Sequence, residues 1–433
     1  MIRSISIQNF KSYNETVMFL NTLTFLIGAN ASGKSNALEA IRLIHWLSQG
    51  LRLDDIARRI QSGNATIRGR VKDLFRNSSK AFVIGCQIDD EDGGDLSITL
   101  GLENGQLVIS NESIRTATSD KILYEVVDKQ KDIDVIQVAY NNFKRGRHKP
   151  RIPCINQQAV FYQLETPSRF GKTNEQAQHV ISKTVKLFRE QLRDIIFLNP
   201  NPDSMRGYAY INDSELSENG SNLSSVIYNI CQDEKRKEEL LSFVRALPEQ
   251  DITDISFFQT ERSEVMLRLH ESFGNKEMKI DAPLLSDGTL RVLSVAAALL
   301  NAPEQTLVII EEIDNGIHPS RAKDLIKQIM TLAEKRHLQT LISSHNPALL
   351  DAVSDESLEN VLCCYRDTDQ GDSRIVRLAD IERYPELVAQ GSLGQLMTNR
   401  VLDRFIKDKT TFEQRKNDAL AWLDAFIQEE VGQ

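Results

Sequence analysis

The chain has 433 residues, with 52 Lys and Arg against 61 Asp and Glu, and a formal net charge of −9 at pH 7. This length is enough for two or three lobes, and 41% hydrophobic with 26% charged residues is typical of a soluble globular protein. Because no run of about 18 apolar residues and no secretory signal pattern is present, we expect a cytoplasmic protein without a membrane partner. The acidic balance also excludes an argument for nucleic-acid binding from total charge.

Two further patterns are missing from the sequence. The five cysteines form no C-x-x-C pair and no Cys/His ligand pattern, so we expect neither a zinc site nor a disulfide framework. No long heptad run occurs, which excludes an extended coiled-coil arm.

The first predicted elements lead into a glycine-rich loop. Residues 2–8 alternate as a strand does, residues 16–20 predict its hairpin partner, and Leu23–Ile27 predicts a short buried strand. The following letters, GANASGKS, have the spacing G-x-x-x-x-G-K-S, and from Asn36 apolar residues recur at helical spacing until about Gly50. A strand, a loop of this spacing and a helix together predict a phosphate-binding loop. The alternative is a glycine-rich turn that binds nothing.

The residue types in this loop match what a nucleoside triphosphate needs. Gly28 and Gly33 allow backbone N–H groups to turn toward a phosphate, and the helix N-terminus adds partial positive charge. Lys34 would reach the β- and γ-phosphates, and the Ser35 hydroxyl would ligate Mg²⁺. The sequence therefore predicts that the protein binds a nucleoside triphosphate.

The middle of the chain carries strands and helices without a motif of its own. Residues 51–78 are polar and mixed, with no predicted element. Periodicity predicts strands at 81–88, 96–103, 107–110, 134–140 and 194–200, helices at 174–192, 220–230 and 234–247, and a hairpin at 256–259 and 264–270. The basic segment Lys144–Arg151 either tracks a phosphate backbone or is a solvated loop.

Two predicted strands in the second half end in residues suited to phosphate chemistry. Residues 306–312 end in Glu311, which could hold Mg²⁺ through water, and Glu312, which could orient or deprotonate an attacking water. The alternative is that the two acids bind nothing and only form a solvated edge of the sheet. Residues 338–352 contain a strand that ends before His345, which could bond a γ-phosphate oxygen or have a purely structural role.

A third feature lies between the helices of this half. Ser286 and Gly288 precede the apolar helical stretch that ends at Leu300. Ser286 is a typical N-cap residue, and a hydroxyl beside free N–H groups at a helix start is also an anion site.

The order of these motifs carries a family resemblance. The segments that carry it are NFKSY (9–13), GANASGKSN (28–36), NPNPDSMRGY (199–208), LLSDGTLR (284–291), VIIEEIDNGIHPS (308–320) and SSHNP (343–347). The chain resembles the RecF/SMC-related branch of ABC-type ATPases, and most of all the ATPase part of OLD (overcoming-lysogenization-defect) proteins. The resemblance implies an α/β ABC-type ATPase head, a P-loop fold with a mixed sheet core, an antiparallel β subdomain, a helical insertion and a helical C-terminal segment.

The resemblance also implies a domain division and residue roles. The division is 1–200 for a first ATPase lobe, 201–365 for a helical and second ATPase lobe, and 366–433 for a C-terminal helical segment that either docks a partner or packs on the head. The implied ATP-binding (Walker A) residues are Gly28, Ala29, Asn30, Ala31, Ser32, Gly33, Lys34, Ser35 and Asn36. The other roles are Mg²⁺ binding by Ser35 and Glu311, catalysis by Glu312 and His345, a signature acting in trans at Ser286, Asp287 and Gly288, a D-loop at Asn315–His318, and a Q-loop position at Asn199.

This sequence departs from the family pattern in two of these roles. Glu311 stands where many ABC heads have Asp, and no Gln occupies the Q-loop position.

ATP and Mg²⁺ are the implied cofactors, and ATP hydrolysis is the implied reaction. The implied assembly is a head-to-head homodimer, or a higher homo-oligomer, closed by ATP. The segment 355–433 lacks the length and acids of the TOPRIM nuclease of OLD proteins, so we expect no nuclease activity. Three functions stay open: a sensor or scaffold for a separate effector (a nuclease or toxin) in anti-phage defence, a RecF-like repair ATPase that binds duplex DNA, and a structural nucleotide-binding protein.

Overall fold

The structure, a computed structural model, describes residues 1–62, 67–91, 93–117, 121–129, 134–144, 149–246, 251–273, 276–313, 319–351, 355–381, 384–399 and 401–407. Within these ranges the strands are β1 (Ile2–Phe10), β2 (Tyr13–Phe19), β3 (Leu23–Ile27), β4 (Ala81–Ile88), β5 (Gly94–Glu103), β6 (Gln106–Thr116), β7 (Ile122–Lys129), β8 (Val135–Tyr140), β9 (Arg151–Ile155), β10 (Ile196–Leu198), β11 (Ala209–Tyr210), β12 (Ile252–Gln259), β13 (Glu264–Phe273), β14 (Lys276–Asp281), β15 (Leu307–Glu311), β16 (Gln339–Ser344), β17 (Val361–Arg366) and β18 (Ser373–Arg377). The α-helices are α1 (Lys34–Ser48), α2 (Leu53–Gln61), α3 (Val160–Gln163), α4 (Glu175–Arg193), α5 (Pro202–Met205), α6 (Leu223–Ile230), α7 (Glu234–Arg245), α8 (Asp287–Asn301), α9 (Pro319–Lys335), α10 (Pro347–Asp351), α11 (Tyr384–Val388), α12 (Leu393–Thr398) and α13 (Val401–Lys407).

One large mixed sheet organises the fold. Among the described strands, its order is β10-β15-β16-β3-β17-β18-β2-β1-β4-β5-β6-β7-β8-β9. The first five strands in this order are parallel, whereas the run from β2 to β9 is antiparallel throughout. The predicted α/β class, with a mixed sheet core and an antiparallel β part, is confirmed.

The parallel strands are covered on both faces, which explains why their sequences are continuous runs of apolar residues. All five residues of β3 are buried. Leu26 packs into a core shared with α1, α4 and the antiparallel strands. Its neighbours Phe25 and Ile27 point to the other face, into a core shared with α6 to α9. Successive side chains of one strand therefore anchor two separate cores.

The parallel register brings functional motifs to one edge of the sheet. Ser344 at the end of β16 lies opposite Ile27 at the end of β3, and Glu311 at the end of β15 lies opposite Ser343. Because parallel strands all end at the same edge, the loops that follow these strands lie side by side.

A second, smaller sheet covers α6. Strands β11 to β14 pair antiparallel around β13, and Val265, Leu267 and Leu269 of β13 are fully buried. The predicted hairpin at 256–270 is confirmed, and the structure adds β14 to it. The sequence prediction missed α2, whose buried residues Leu53, Ile56 and Ile60 recur at helical spacing within an otherwise charged stretch.

The segment after β16 contributes to the main sheet. β17 pairs parallel with β3, and β18 pairs antiparallel with β17 and touches β2. The predicted domain boundary at residue 365 falls inside β17, and the three-part division stays a prediction. The predicted D-loop at Asn315–His318 and the amphipathic stretch within 408–433 lie outside the described residues. Over the part of the chain that the structure describes, no helix is long and apolar enough to cross a membrane.

A buried carboxyl group lies in the antiparallel part of the sheet. Glu112 of β6 is fully buried and accepts hydrogen bonds from the Tyr124 hydroxyl (2.7 Å) and from the backbone N–H groups of Val160 (2.7 Å) and Phe161 (2.6 Å). Burial raises the pKa of Glu112 to about 7, although these hydrogen bonds act in the opposite direction. The folded protein therefore binds this proton more tightly than the unfolded chain does.

We expect this carboxyl group to make stability fall as the pH rises. Between the unfolded pKa of 4.5 and the folded pKa of about 7, the unfolded chain loses the proton first. The free energy of unfolding should then decrease by roughly 3 kcal/mol across this window. Denaturant unfolding of wild type and Glu112→Gln at pH 5 and pH 8 measures this change in the free energy of unfolding. The Gln variant should lack most of this pH dependence, whereas the control Glu125→Gln on β7 should keep it.

Candidate functional site

The loop between β3 and α1 has a backbone shape that needs glycine. Gly28 and Gly33 adopt φ values of +153° and +122°. A Cβ added to Gly28 would lie 2.2 Å from the carbonyl oxygen of Cys364, and one added to Gly33 would lie 2.3 Å from the Oγ of Ser373. Both positions are closed to other residues, because the added atom would meet neighbouring strands as well as strain the backbone.

Polar residues of β2, of the turn before it and of β18 hold the loop in place. The Ser373 hydroxyl donates to the Ser32 carbonyl (2.6 Å), and the Tyr13 hydroxyl donates to the Gly33 carbonyl (3.1 Å). The Asn36 amide donates to the Ser12 hydroxyl (2.7 Å). Burial raises the pKa of Tyr13, so the phenol keeps the proton that it donates. The predicted phosphate-binding loop is thus supported by side chains from two distant parts of the chain, residues 12–13 and residue 373.

Lys34 lies across the loop that precedes it. Its ammonium group donates to the carbonyls of Gly28 (2.5 Å) and Ala29 (3.2 Å). Helix α1 begins at Lys34, and Gly33 at its N-cap position supplies no side chain to the first turn. Backbone N–H groups and the positive end of a 15-residue helix therefore point toward the loop.

A cleft of about 290 Å³ joins the loop to the ends of β15 and β16. The lining residues are Asn30, Ala31, Ser32, Gly33, Lys34, Ser35, Asn36, Leu38, Arg68, Glu311, Glu312, Ser343, Ser344, His345 and Arg366. The loop motif, both acids and the histidine that the sequence singled out thus share one cleft. The two acids and the histidine follow the loop in the chain by more than 270 residues.

The two acids that end β15 have different environments. Glu312 is exposed and adopts a left-handed φ of +50°, with its N–H bonded to the Ser343 carbonyl at 3.1 Å. Such a conformation costs a non-glycine residue about 1–3 kcal/mol and is typical of functional positions. Burial raises the pKa of Glu311, the nearby Arg42 guanidinium lowers it, and the carboxylates of Glu218, Glu312 and Glu39 raise it further.

The cleft contains cationic residues to which the sequence assigned no role. Arg68 lines the cleft and donates to Glu39 of α1 at 2.7 Å, and Glu39 is buried beside Lys11. Arg366 lines it from the end of β17. A second cavity of about 580 Å³ adjoins the cleft and shares Asn36, Arg68 and Arg366 with it. No sequence signal marks these side chains, since their place depends on long-range pairing.

The predicted signature residues lie away from this cleft. Ser286 caps α8 by accepting a hydrogen bond from the Thr289 N–H (3.1 Å), which confirms its structural role. Asp287 pairs with Arg206, Gly288 follows in the first turn, and Ser286 and Asp287 are exposed. Asn199 is exposed just after β10, which neighbours β15, and its N–H bonds to the Glu218 carbonyl at 2.8 Å.

The donor set of the cleft fits a magnesium ion bound mainly through phosphates. Ser35 and Glu311 are oxygen donors that line the same cleft, and Mg²⁺ is typically held by one or two protein oxygens together with phosphates and water. In the described part of the chain, no group of three or more His, Cys, Asp or Glu side chains is arranged to hold a metal. A dedicated protein-only metal cage is therefore not the kind of site found among these residues.

The α/β fold and the glycine-rich loop at the edge of the parallel strands agree with an AAA-type domain. A family model described as "AAA domain, putative AbiEii toxin, Type IV TA system" matches residues 23–351, well over half of the chain. The chain belongs to this AAA family.

Comparisons with individual proteins give shorter or more distant matches. The chain is 35% identical to the DNA replication and repair protein RecF of Leptospira interrogans over 79 residues, which is 18% of this chain and 22% of that protein. It is 31% identical to structural maintenance of chromosomes protein 3 of Arabidopsis thaliana over 119 residues, or 26% and 10% of the two chains. The crystal structure of an Smc head bound to the C-terminal winged-helix domain of ScpA matches with 14% identity and a TM-score of 0.47, covering 87% of this chain and 96% of that one. The matched segments thus span less than a quarter of the two curated relatives.

Proposed function

We propose that the protein binds ATP with Mg²⁺ in the cleft and hydrolyses it to ADP and phosphate. One observation carries this proposal: residues 30–36 of the loop, Glu311, Glu312 and His345 line a single cleft. Lys34 would leave the loop carbonyls for the β- and γ-phosphate oxygens, where the α1 N-terminus adds positive charge. Ser35 and Glu311 would hold Mg²⁺, which neutralises phosphate charge when it is bound.

In this proposal the exposed acid and the histidine act at the terminal phosphate. Glu312 would orient or deprotonate the attacking water, a role supported by its position past the strand end and by its exposed side chain. His345 would donate a hydrogen bond to a γ-phosphate oxygen. Asn199 keeps its proposed Q-loop role, since the strand that it follows neighbours β15.

The proposed assembly is a head-to-head homodimer that closes on ATP. Ser286, Asp287 and Gly288 do not line the cleft of their own chain, and Leu284 beside them is 78% exposed. An exposed hydroxyl, a helix N-terminus and an apolar side chain form a surface suited to covering a phosphate of a second copy. Closure would exclude water from the reacting phosphate and strengthen the electrostatic interactions there.

A complementation experiment tests the dimer. Lys34→Ala should inactivate the cleft, and Ser286→Arg should inactivate only the surface that covers a partner. Each variant alone should lack ATPase activity, but a mixture contains dimers with one intact composite site. We expect the mixture to recover up to about a quarter of wild-type activity, as for random pairing of two closed protomers. A mixture as inactive as its components would contradict closure in trans.

We extend the proposal to a biological role as the ATP-switched sensor or scaffold of a separate effector, a nuclease or toxin, in anti-phage defence. The family description supports this reading, because it names a toxin of a toxin–antitoxin system, and such a system has two components. Protection of cells against phage should require Lys34 and the neighbouring gene product. Protection that survives Lys34→Ala would contradict this role.

The second candidate is a RecF-like repair ATPase that binds duplex DNA, which the match to RecF favours. The described cations of the basic segment have partners within the chain. Lys144 donates to the Thr173 carbonyl (2.9 Å), Lys149 donates to the Asn141 side chain (3.1 Å), and Arg151 lies 4.0 Å from Asp128. ATP-dependent duplex binding that is lost on neutralising Lys144, Lys149 and Arg151 would favour repair over defence.

A further inference from the structure

An arginine in α1 lies between two carboxylates, one of which is in the cleft. Arg42 follows Ser35 by about two helical turns. Its guanidinium donates to both carboxylate oxygens of Glu218, at 2.8 and 2.7 Å. The same group lies 3.8 Å from the Glu311 carboxylate, and the centre of the Phe197 ring lies 4.0 Å from its central carbon. Arg42 therefore lies beside Glu311, the proposed Mg²⁺-binding acid, while its own charge is neutralised by Glu218.

The two partners of this ion pair differ in their freedom to move. The Arg42 side chain is 7% exposed, whereas that of Glu218 is 30% exposed. Both line a separate cavity of about 640 Å³. Glu218 is therefore the partner that can move into water, whereas Arg42 stays buried and needs another carboxylate beside it. If Glu218 withdrew, Glu311 would be the carboxylate left beside Arg42.

Glu218 belongs to a segment that contacts both ends of α8. We call residues 199–222 the linking segment. Arg206 pairs with Asp287 at the start of α8, and Asn301 at its end donates to the Ser214 carbonyl at 2.7 Å. The linking segment also folds on itself through the bond from Asn199 N–H to the Glu218 carbonyl (2.8 Å). A shift of α8 would thus be transmitted to the backbone of Glu218.

We infer that the Arg42–Glu218 pair sets the Mg²⁺ affinity of Glu311, and that the linking segment couples this affinity to the position of α8. While Glu218 neutralises Arg42, Glu311 keeps its negative charge for the cation. When Glu218 withdraws, the charge of Arg42 acts on Glu311 and opposes cation binding. Arg42 and Glu218 are positioning residues in this scheme, which rests on the proposed ATP site.

Nucleotide binding at varied Mg²⁺ concentration tests the inference without measuring turnover. A fluorescent ATP analogue is titrated against wild type and Glu218→Gln, each with Mg²⁺ and with EDTA. The Gln variant should need about tenfold more Mg²⁺ for half-maximal binding, as expected for an uncompensated charge several ångströms away. Its binding in EDTA should not weaken. The control Glu215→Gln, from the same cavity, should match wild type.

A double variant separates charge from folding. Arg42→Met with Glu218→Met removes both charges together and should restore the wild-type Mg²⁺ requirement to within about twofold, because the two effects are coupled. A wild-type Mg²⁺ requirement in Glu218→Gln would overturn the inference, as would a double variant as impaired as Glu218→Gln. Failure of the wild-type protein itself to bind the analogue would instead refute the proposed function on which the inference rests.

Discussion

Replacing Lys34 with Ala should reduce ATP hydrolysis by at least about 100-fold, the order seen when one preorganised donor to a developing charge is removed. Lys34 is the cationic residue at the start of α1, and its ammonium group lies within the loop, bonded to the carbonyls of Gly28 and Ala29. No change in the packed core accompanies the substitution, because Lys34 is only half-buried. The loss should therefore appear in nucleotide binding and turnover and not in stability.

Phosphate release and equilibrium binding of a fluorescent nucleotide measure the two effects separately. Lys80→Ala, which removes an exposed lysine just before β4, is the matched control and should behave as wild type. Lys34→Arg should recover little activity, since the guanidinium is broader than the compact ammonium group that fits the loop. Normal turnover by Lys34→Ala would show that the loop is not the phosphate site.

Replacing Glu312 with Gln should abolish turnover but leave ATP binding intact. Removing a general base typically lowers a rate by about 10²–10⁴-fold, while the amide keeps the size of the side chain. Because Glu312 lies at the exposed end of the cleft, and Glu311 and Lys34 remain in place, ATP should stay bound. The variant should accumulate as an ATP-bound dimer, which light scattering detects as a doubled mass.

The control for this experiment is Glu304→Gln, an exposed acid in the loop before β15, which should hydrolyse ATP normally and remain undimerised after turnover. Wild-type turnover by Glu312→Gln would show that the base lies elsewhere. A variant that neither turns over nor dimerises, yet binds ATP, would separate the catalytic role from the assembly. Either result would remove one part of the proposed function.

The local sequence pattern predicted the strands and the helix that form the cleft. The buried strand before Gly28, the helix from Lys34 and the strand that ends at Glu311 were all visible in the sequence, and each is present in the structure. They were predictable because strand and helix periodicity, and the glycine requirement of a tight loop, act within about ten residues. The same local rules missed α2, whose charged face obscures three buried positions.

The charged surroundings of the cleft were not predictable in the same way. Arg42 looks like an ordinary surface residue of an amphipathic helix, yet it is buried between Glu218 and Glu311. Glu112 likewise looks like a polar residue in a strand, but three donors meet its carboxyl group in the core. Side-chain charge pairing depends on residues brought together by the sheet order, which sequence periodicity does not encode.

The sequence by itself determined the α/β class, the phosphate-binding loop pattern and the acids and histidine that follow two later strands. Only the tertiary structure decided that these groups share one cleft, that Ser286 lies outside it, and that Arg42 connects the cleft to the linking segment. The physical reason is the parallel register of β15, β16 and β3. Hydrogen bonds between strands distant in sequence, and burial on both faces of the sheet, fix which strand ends become neighbours.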